Sequence, residues 1–310
     1  MERSGIELPV CISIKNLVKK YVRFTLGPVD LEIPEGFATA LIGENGSGKT
    51  TLLDSIAGIH SFTSGDVTWF GSYTDVDTPF VRNGIGYCSS NNFFPESWTI
   101  RNVKRAMPAA FDNFSSDTFL SLCREFRLED DSASLHPRRI QKYSDGNKMR
   151  LALAATMARS TKMLILDEPG SSLDPVMRDD LCCKFRSYLT DGGGSTSILF
   201  STHDIADMES AVDYAVFMAD GKIIKEGFTE DLRARYRYVH GDASLAEKVR
   251  AKFETAYVSG GMFEGLCTTD KSDVFTAAEF ADIAVEQPTL RQLSVLLLRS
   301  AERRAEEGVA

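Results

Sequence analysis

No run of apolar residues in the 310-residue chain approaches the ~18–20 that a membrane-spanning helix needs. Patches such as MLIL at 163–166 and LSVLLL at 293–298 are too short. The opening MERSGIELPV lacks the apolar core of a signal peptide. An excess of basic charge is also missing. Lys and Arg number 35 against 44 Asp and Glu, a net charge of -9. That balance argues against a nucleic-acid partner, which calls for a basic surface, but leaves room for a local pocket for a small anion. The six cysteines, at 11, 88, 123, 182, 183 and 267, fit neither a disulfide framework nor a CxxC metal site. They read as free thiols of a reducing compartment. With 43% apolar and 25% charged residues, the chain excludes disorder, collagen-like repeats and a coiled-coil rod. It carries no internal repeat or low-complexity tract.

What is present alternates between strand and helix signals. Residues 6–36 read as short strands with turns, ending at Pro34-Glu35-Gly36. Phe37 to Ile42 is a mostly apolar run bounded by glycine, the pattern of a strand buried on both faces. A glycine-rich loop and a helix closing at Gly58 follow. Ser64-Gly65-Asp66 reads as a turn, and Ile85–Cys88 as a strand. The β signal then fades from about 96 to 160, where Met149, Leu153 and Met157 recur every four residues and predict a helix over 146–159. Met163–Leu166 and Ser197–Thr202 are further buried strands, with a helix over about 175–190 between them. This order implies an α/β fold with a mainly parallel sheet, an N-terminal antiparallel β part and an inserted helical subdomain. The basic, aromatic RARYRYVHGD closes that pattern and places a boundary near Arg235. Residues 1–235 are expected to form one domain, and 236–310 a small α/β appendage with amphipathic helices over 243–257 and 289–304, the second capped by Thr289.

Gly43-Glu44-Asn45-Gly46-Ser47-Gly48-Lys49-Thr50 matches GxxxxGK[ST], the phosphate-binding P-loop. Glycines let the backbone wrap closely and aim its N–H groups at phosphate oxygens. A helix starting near Lys49 adds the positive end of its dipole. Lys49 then neutralises the terminal phosphates and the Thr50 hydroxyl serves Mg²⁺, with Thr51 next in the helix. Leu164-Ile165-Leu166-Asp167-Glu168 is the partner motif. Asp167, at the end of a buried strand, suits the metal, and Glu168 suits polarising an attacking water.

On these residues the chain resembles the ATP-binding subunits of ABC transporters over about residues 10–235. Tyr143-Ser144-Asp145-Gly146-Asn147 is similar to that family's LSGGQ signature, which acts on ATP held by a second subunit. Ser171-Ser172-Leu173-Asp174 resembles its D-loop, with Asp174 six residues after Glu168. His203 matches the switch histidine that contacts the γ-phosphate, and Tyr21 sits where the family stacks an aromatic on adenine. Two departures stand out. The family's glutamine beside Mg²⁺ falls on Ser90, or on Asn91 with a one-residue slip. Asp145 stands where the signature has glycine, placing a carboxylate near a γ-phosphate unless it points away or pairs with Lys148, and Asn147 replaces glutamine.

The resemblance implies a P-loop NTPase that binds ATP with Mg²⁺ and hydrolyses it as a dimer with a second ATP-binding subunit. It implies permease subunits on separate chains and a place on the cytoplasmic face of the plasma membrane. The aromatic segment Phe93-Phe94-Pro95-Glu96-Ser97-Trp98 lies where a permease docks, with a local hydrophobic pack as the other reading. The closing segment Gln287-Pro288-Thr289-Leu290 is similar to that of subunits paired with export-type permeases. Two other readings stay open: a soluble ABC-type ATPase without a transporter, and a nucleotide-binding regulator with degenerate catalysis.

Overall fold

The structure is a computed structural model, and it describes residues 2–3, 6–89, 94–128, 138–249, 253, 255–272 and 282–306. The chain opens with two short paired strands, β1 (Glu2–Arg3) and β2 (Ile6–Glu7). It continues with β3 (Val10–Lys20), β4 (Thr25–Pro34), β5 (Ala38–Ile42), α1 (Lys49–Ile56), β6 (Ser64–Trp69), α2 (Pro79–Gly84) and β7 (Ile85–Cys88). The helical insertion holds α3 (Ile100–Ala110), α4 (Ser116–Glu125) and α5 (Asp145–Met157). After it come β8 (Met163–Leu166), α6 (Pro175–Asp191), β9 (Ser197–Thr202), β10 (Tyr214–Ala219), β11 (Lys222–Phe228) and α7 (Thr229–Arg235). The chain then runs through β12 (Tyr236–Asp242), α8 (Ala246–Val249), β13 (Thr255–Ser259), β14 (Met262–Thr268), α9 (Thr269–Ser272), β15 (Ala284–Glu286) and α10 (Leu290–Glu306).

The central sheet has the order β11-β10-β5-β9-β8-β7, and only the β10–β11 pair is antiparallel. Every residue of β5, β8 and β9 is buried. Their apolar runs are explained by two cores, one on each face of the sheet. Leu41, Ile165 and Leu199 point to the core shared with α1 and the antiparallel sheet β4-β3-β6. Ala40, Leu164, Leu166 and Phe200 point to the core shared with the helical insertion and α6. The register, with Ile42 beside Thr202 and Leu166 beside Phe200, brings the carboxyl ends of three strands together. Loops leaving that edge are where an open α/β sheet binds its ligands.

The C-terminal unit is an antiparallel sheet, β13-β14-β12-β15, with α10 laid against it. One face of that sheet does not make a core of its own. Tyr236, Tyr238 and Leu266 join Leu290, Leu293 and Leu296 of α10 in the same cluster as Phe185 and Phe200. The other face packs a small cluster around Val239, Phe263 and Cys267.

Two expectations are corrected. Ser64-Gly65-Asp66 is not a turn but the start of β6; Gly65 takes φ 103°, and a Cβ there would meet the Asn16 carbonyl oxygen at 2.4 Å. The amphipathic pattern over 243–257 does not make one helix. A short 3-10 turn and α8 are described over 243–249, but Thr255–Ser259 forms β13, where the β-branched and aromatic TAYV finds an edge to pair with. Thr289 does cap α10: its hydroxyl accepts from Gln292 N at 3.1 Å, and Gln292 Oε1 accepts from Thr289 N at 2.8 Å. None of the six cysteines is in a disulfide.

Candidate functional site

The loop between β5 and α1 is built on glycines, each favoured by a close approach or a left-handed backbone. A Cβ at Gly43 would sit 2.3 Å from the Met218 carbonyl oxygen, and one at Gly48 2.8 Å from the Phe24 ring. Gly46 and Gly48 take φ 86° and 104°, the left-handed region that penalises other residues. Gly48 precedes α1 and supplies no side-chain cap, so the first N–H groups of α1 are left for an anion.

The charged groups converge on this loop. Lys49 is 5% exposed, and its Nζ donates to the carbonyls of Gly43 at 2.8 Å and Glu44 at 3.0 Å. Burial pulls its ammonium below the usual lysine value, while the carboxylates of Glu168 and Asp167 pull the other way. Glu168 Oε1 stands 3.7 Å from Lys49 Nζ, and Glu168 Oε2 is 2.9 Å from His203 Nδ1. The Thr50 hydroxyl donates to Asp167 Oδ2 at 2.9 Å. Two hard oxygen donors this close fit a magnesium ion, which prefers carboxylate and hydroxyl oxygens.

Two of the three orphan side-chain atoms among the described residues point the same way, the third being Thr39 Oγ1 within β5. Among the described residues, Ser47 Oγ and Glu168 Oε1 are buried without a hydrogen-bond partner. Such groups are costly unless a ligand or water completes them. Ser47 lies inside the phosphate loop, and Glu168 Oε1 faces the Lys49 ammonium, so nucleotide phosphate and its attacking water are the partners that fit.

One residue that the sequence reading passed over holds this arrangement. Ser201, fully buried in β9, donates from its hydroxyl to Asp167 Oδ1 at 2.6 Å and accepts from Glu168 N at 2.9 Å. Glu168 itself takes φ 51°, a left-handed conformation that costs a non-glycine residue about 1 kcal/mol or more. The Ser201 hydroxyl ties that strained residue to the metal-side carboxylate. Its signal was a hydroxyl directly after the apolar Ile198-Leu199-Phe200 of a fully buried strand.

The remaining predicted residues divide. Tyr21 is half exposed in the turn that places Phe24 against Gly48, with Lys19 over its ring at 5.4 Å. Thr51 lies in the first turn of α1. The signature residues sit elsewhere. Ser144 caps α5 by accepting from Asn147 N at 3.3 Å. Gly146 packs so closely on the loop after Glu168 that a Cβ would meet Ser172 O at 2.5 Å. Arg150, which the sequence reading did not use, donates to Gly146 O at 3.4 Å and reaches Asn147 Oδ1. No hydrogen bond or ion pair among the described residues joins 144–147 to the phosphate loop. Asp145 is 92% exposed and 4.0 Å from Lys148, which also pairs with Glu96 at 3.7 Å. Asp174 caps α6 by accepting from Met177 N at 3.0 Å. Arg178 donates to Gly170 O at 2.9 Å and pairs with Asp207, joining the loop after Glu168 to the loop after His203. Ser90, Asn91 and Phe93 lie outside the described residues. Phe94 and Trp98 are half-buried, stacked at 6.4 Å and packed against the main core, the local hydrophobic pack rather than a row of exposed anchors.

A strand, a glycine-wrapped loop with a buried lysine, and an Asp-Glu pair at the end of the parallel strand one place beyond the neighbouring β9 define a P-loop nucleotide triphosphatase. Comparison with known proteins narrows the class. The ABC transporter family profile matches residues 26–171. The lantibiotic transport ATP-binding protein SrtF of Streptococcus pyogenes is 31% identical over 225 residues, covering 69% of this chain and 90% of that protein. The Fe(3+) ions import ATP-binding protein FbpC of Mesorhizobium japonicum is 31% identical over 309 residues, covering 96% and 79%. A solved ATP-binding subunit of an ABC transporter superposes with a TM-score of 0.62 at 26% identity, covering 72% and 92%. The chain belongs to the ABC transporter ATP-binding subunits, and it is an ATP hydrolase of that family.

Proposed function

We propose that this chain powers a transporter whose membrane-spanning path lies on separate permease subunits, and that two ATP-binding subunits close on two ATP molecules to do so. Among the described residues no helix is long and apolar enough to cross a membrane, and we assign the path to other chains. We place the chain at the cytoplasmic face of the plasma membrane, held there by those permeases. We read residues 1–235 as the motor and 236–310 as an accessory unit.

The observation that carries the reading is the Lys49–Glu168–His203 chain of contacts beside the Thr50–Asp167 pair. The loop amides from Gly43 to Thr51 and the Lys49 ammonium bind the phosphates, with Tyr21 against the adenine. Thr50 and Asp167 hold Mg²⁺, which when bound neutralises charge on the phosphate oxygens. Glu168 accepts the proton of the attacking water through Oε1, which has no hydrogen-bond partner, while Oε2 is held by His203. Ser144 to Asn147 of the second subunit complete the site, which accounts for the lack, among the described residues, of a hydrogen bond or ion pair joining them to the phosphate loop within one chain, and Asp174 lies at that seam. Ser90 we assign, from its place in the sequence, to the metal side.

For direction we propose export, which the Gln287–Leu290 segment supports. Relatives of equal identity include an iron importer, so a vesicle transport assay is the direct test. The chemistry is tested by Glu168→Gln, which is expected to bind ATP and lose hydrolysis by about 10²-fold or more. Wild-type turnover in that variant would remove Glu168 as the base.

A further inference from the structure

A cavity of about 690 Å³ lies outside the ATP site, between α10 and the inner face of β12–β14. It falls within the ~300–1,000 Å³ range of small-molecule sites. Arg291, Val295 and Arg299 face it from one side of α10 at four-residue spacing, and Tyr257 and Met262 face it from the sheet.

The charges around this cavity are unequal in their commitments. Both carboxylates at its edge are engaged. Glu209 Oε1 accepts from Leu290 N at 2.8 Å, and Glu264 hydrogen-bonds the buried Tyr238 hydroxyl. The arginines are not. Arg299 lies over the Tyr257 ring at 4.2 Å, and among the described residues neither arginine forms an ion pair with a carboxylate. Two guanidiniums without a carboxylate partner among the described residues, above an exposed tyrosine and methionine, call for an anion carried on an apolar or aromatic body.

The cavity also touches the catalytic edge. Ala206 and Glu209 line it, and both belong to the segment that leaves His203. Glu209 holds the first turn of α10, while Asp207 pairs with Arg178, which holds Gly170 beside Glu168. Whatever moves α10 therefore pulls on both loops of the hydrolytic site.

We propose that this cavity is a regulatory site for a small organic anion, a carboxylate, sulfonate or phosphate on an apolar body, whose binding changes the rate of ATP hydrolysis. The test uses the full chain and 8-anilinonaphthalene-1-sulfonate, with the nucleotide site saturated by ATP and Mg²⁺. The wild-type protein should show one saturable fluorescence phase and a shift in turnover of about twofold or more over the same probe range. Arg291→Glu with Arg299→Glu should weaken the probe about tenfold or more and abolish the shift. Val295→Trp, which fills the cavity and keeps both charges, should do the same, and a thermal melt confirms that each variant is folded. Equal probe binding by wild type and both variants overturns the site. Saturable binding with unchanged hydrolysis overturns its regulatory role. Probe binding is read independently of any permease, so its failure is distinct from failure of the transport reading.

Discussion

Replacing Ser201 with alanine removes one hydroxyl and disturbs both acidic residues of the proposed site at once. That hydroxyl donates to Asp167 Oδ1 and accepts from Glu168 N, at a position with no solvent access. Losing a hydrogen bond to a charged acceptor costs about 1.5–3 kcal/mol, and leaving the Glu168 N–H buried and unpaired costs about 1–3 kcal/mol. One hydroxyl serves both, so the two losses overlap, and a stability loss of about 2–4 kcal/mol is expected in urea unfolding. The kinetic effect should exceed what stability alone explains. Glu168 is held in a left-handed conformation, and releasing its backbone lets the carboxylate drift from the water it must meet. A misplacement on the order of 1 Å costs about 10²-fold in rate. The phosphate-loop contacts of Lys49 do not involve Ser201. A coupled ATPase assay should therefore show kcat lower by about 10–100-fold with KM within about threefold. Ser201→Thr restores the hydroxyl and should recover more of kcat than alanine, despite the added methyl. Folded Ser201→Ala protein with wild-type kcat would refute the reasoning.

Three further outcomes follow from the same geometry. Gly48→Ala forces a side chain into φ 104° and against the Phe24 ring, so ATP affinity, measured by nucleotide titration, should drop about tenfold or more. Asp145 stands 4.0 Å from the Lys148 ammonium, which offsets its charge toward a γ-phosphate, so Asp145→Gly should change dimer-dependent hydrolysis by less than about threefold. A thiol reagent at pH 8 should modify Cys183 of the folded chain and spare the other five cysteines, because Cys183 is exposed and burial pushes the thiols of Cys11 and Cys88 up to about 12; rapid labelling at Cys88 would show that the sheet opens.

Much of the phosphate site was legible because its requirements are local. A loop that must wrap an anion needs glycine where φ is positive, and Gly46, Gly48 and Lys49 are contiguous in the chain. Strands buried on both faces announce themselves as apolar runs, as in β5 and β8. What escaped depends on register between distant segments. Ser201 acts on Asp167 only because β9 lies beside β8 with Phe200 level with Leu166. Arg178 and Glu209 likewise matter for what α6 and α10 are packed against, and no spacing in the sequence reveals that. The misread helix over 243–257 has a related cause. Its apolar spacing suited a helix, but the TAYV end gains more by pairing with β14, which lies further along the chain.

The central claim is that this ATPase drives separate membrane subunits. The most direct measurement is to purify the tagged chain from detergent-solubilised membranes of its host and identify by mass spectrometry what accompanies it. The account predicts a multi-span membrane protein in near-stoichiometric amount. Recovery of ribosomal or other soluble partners, with no multi-span protein, would contradict it.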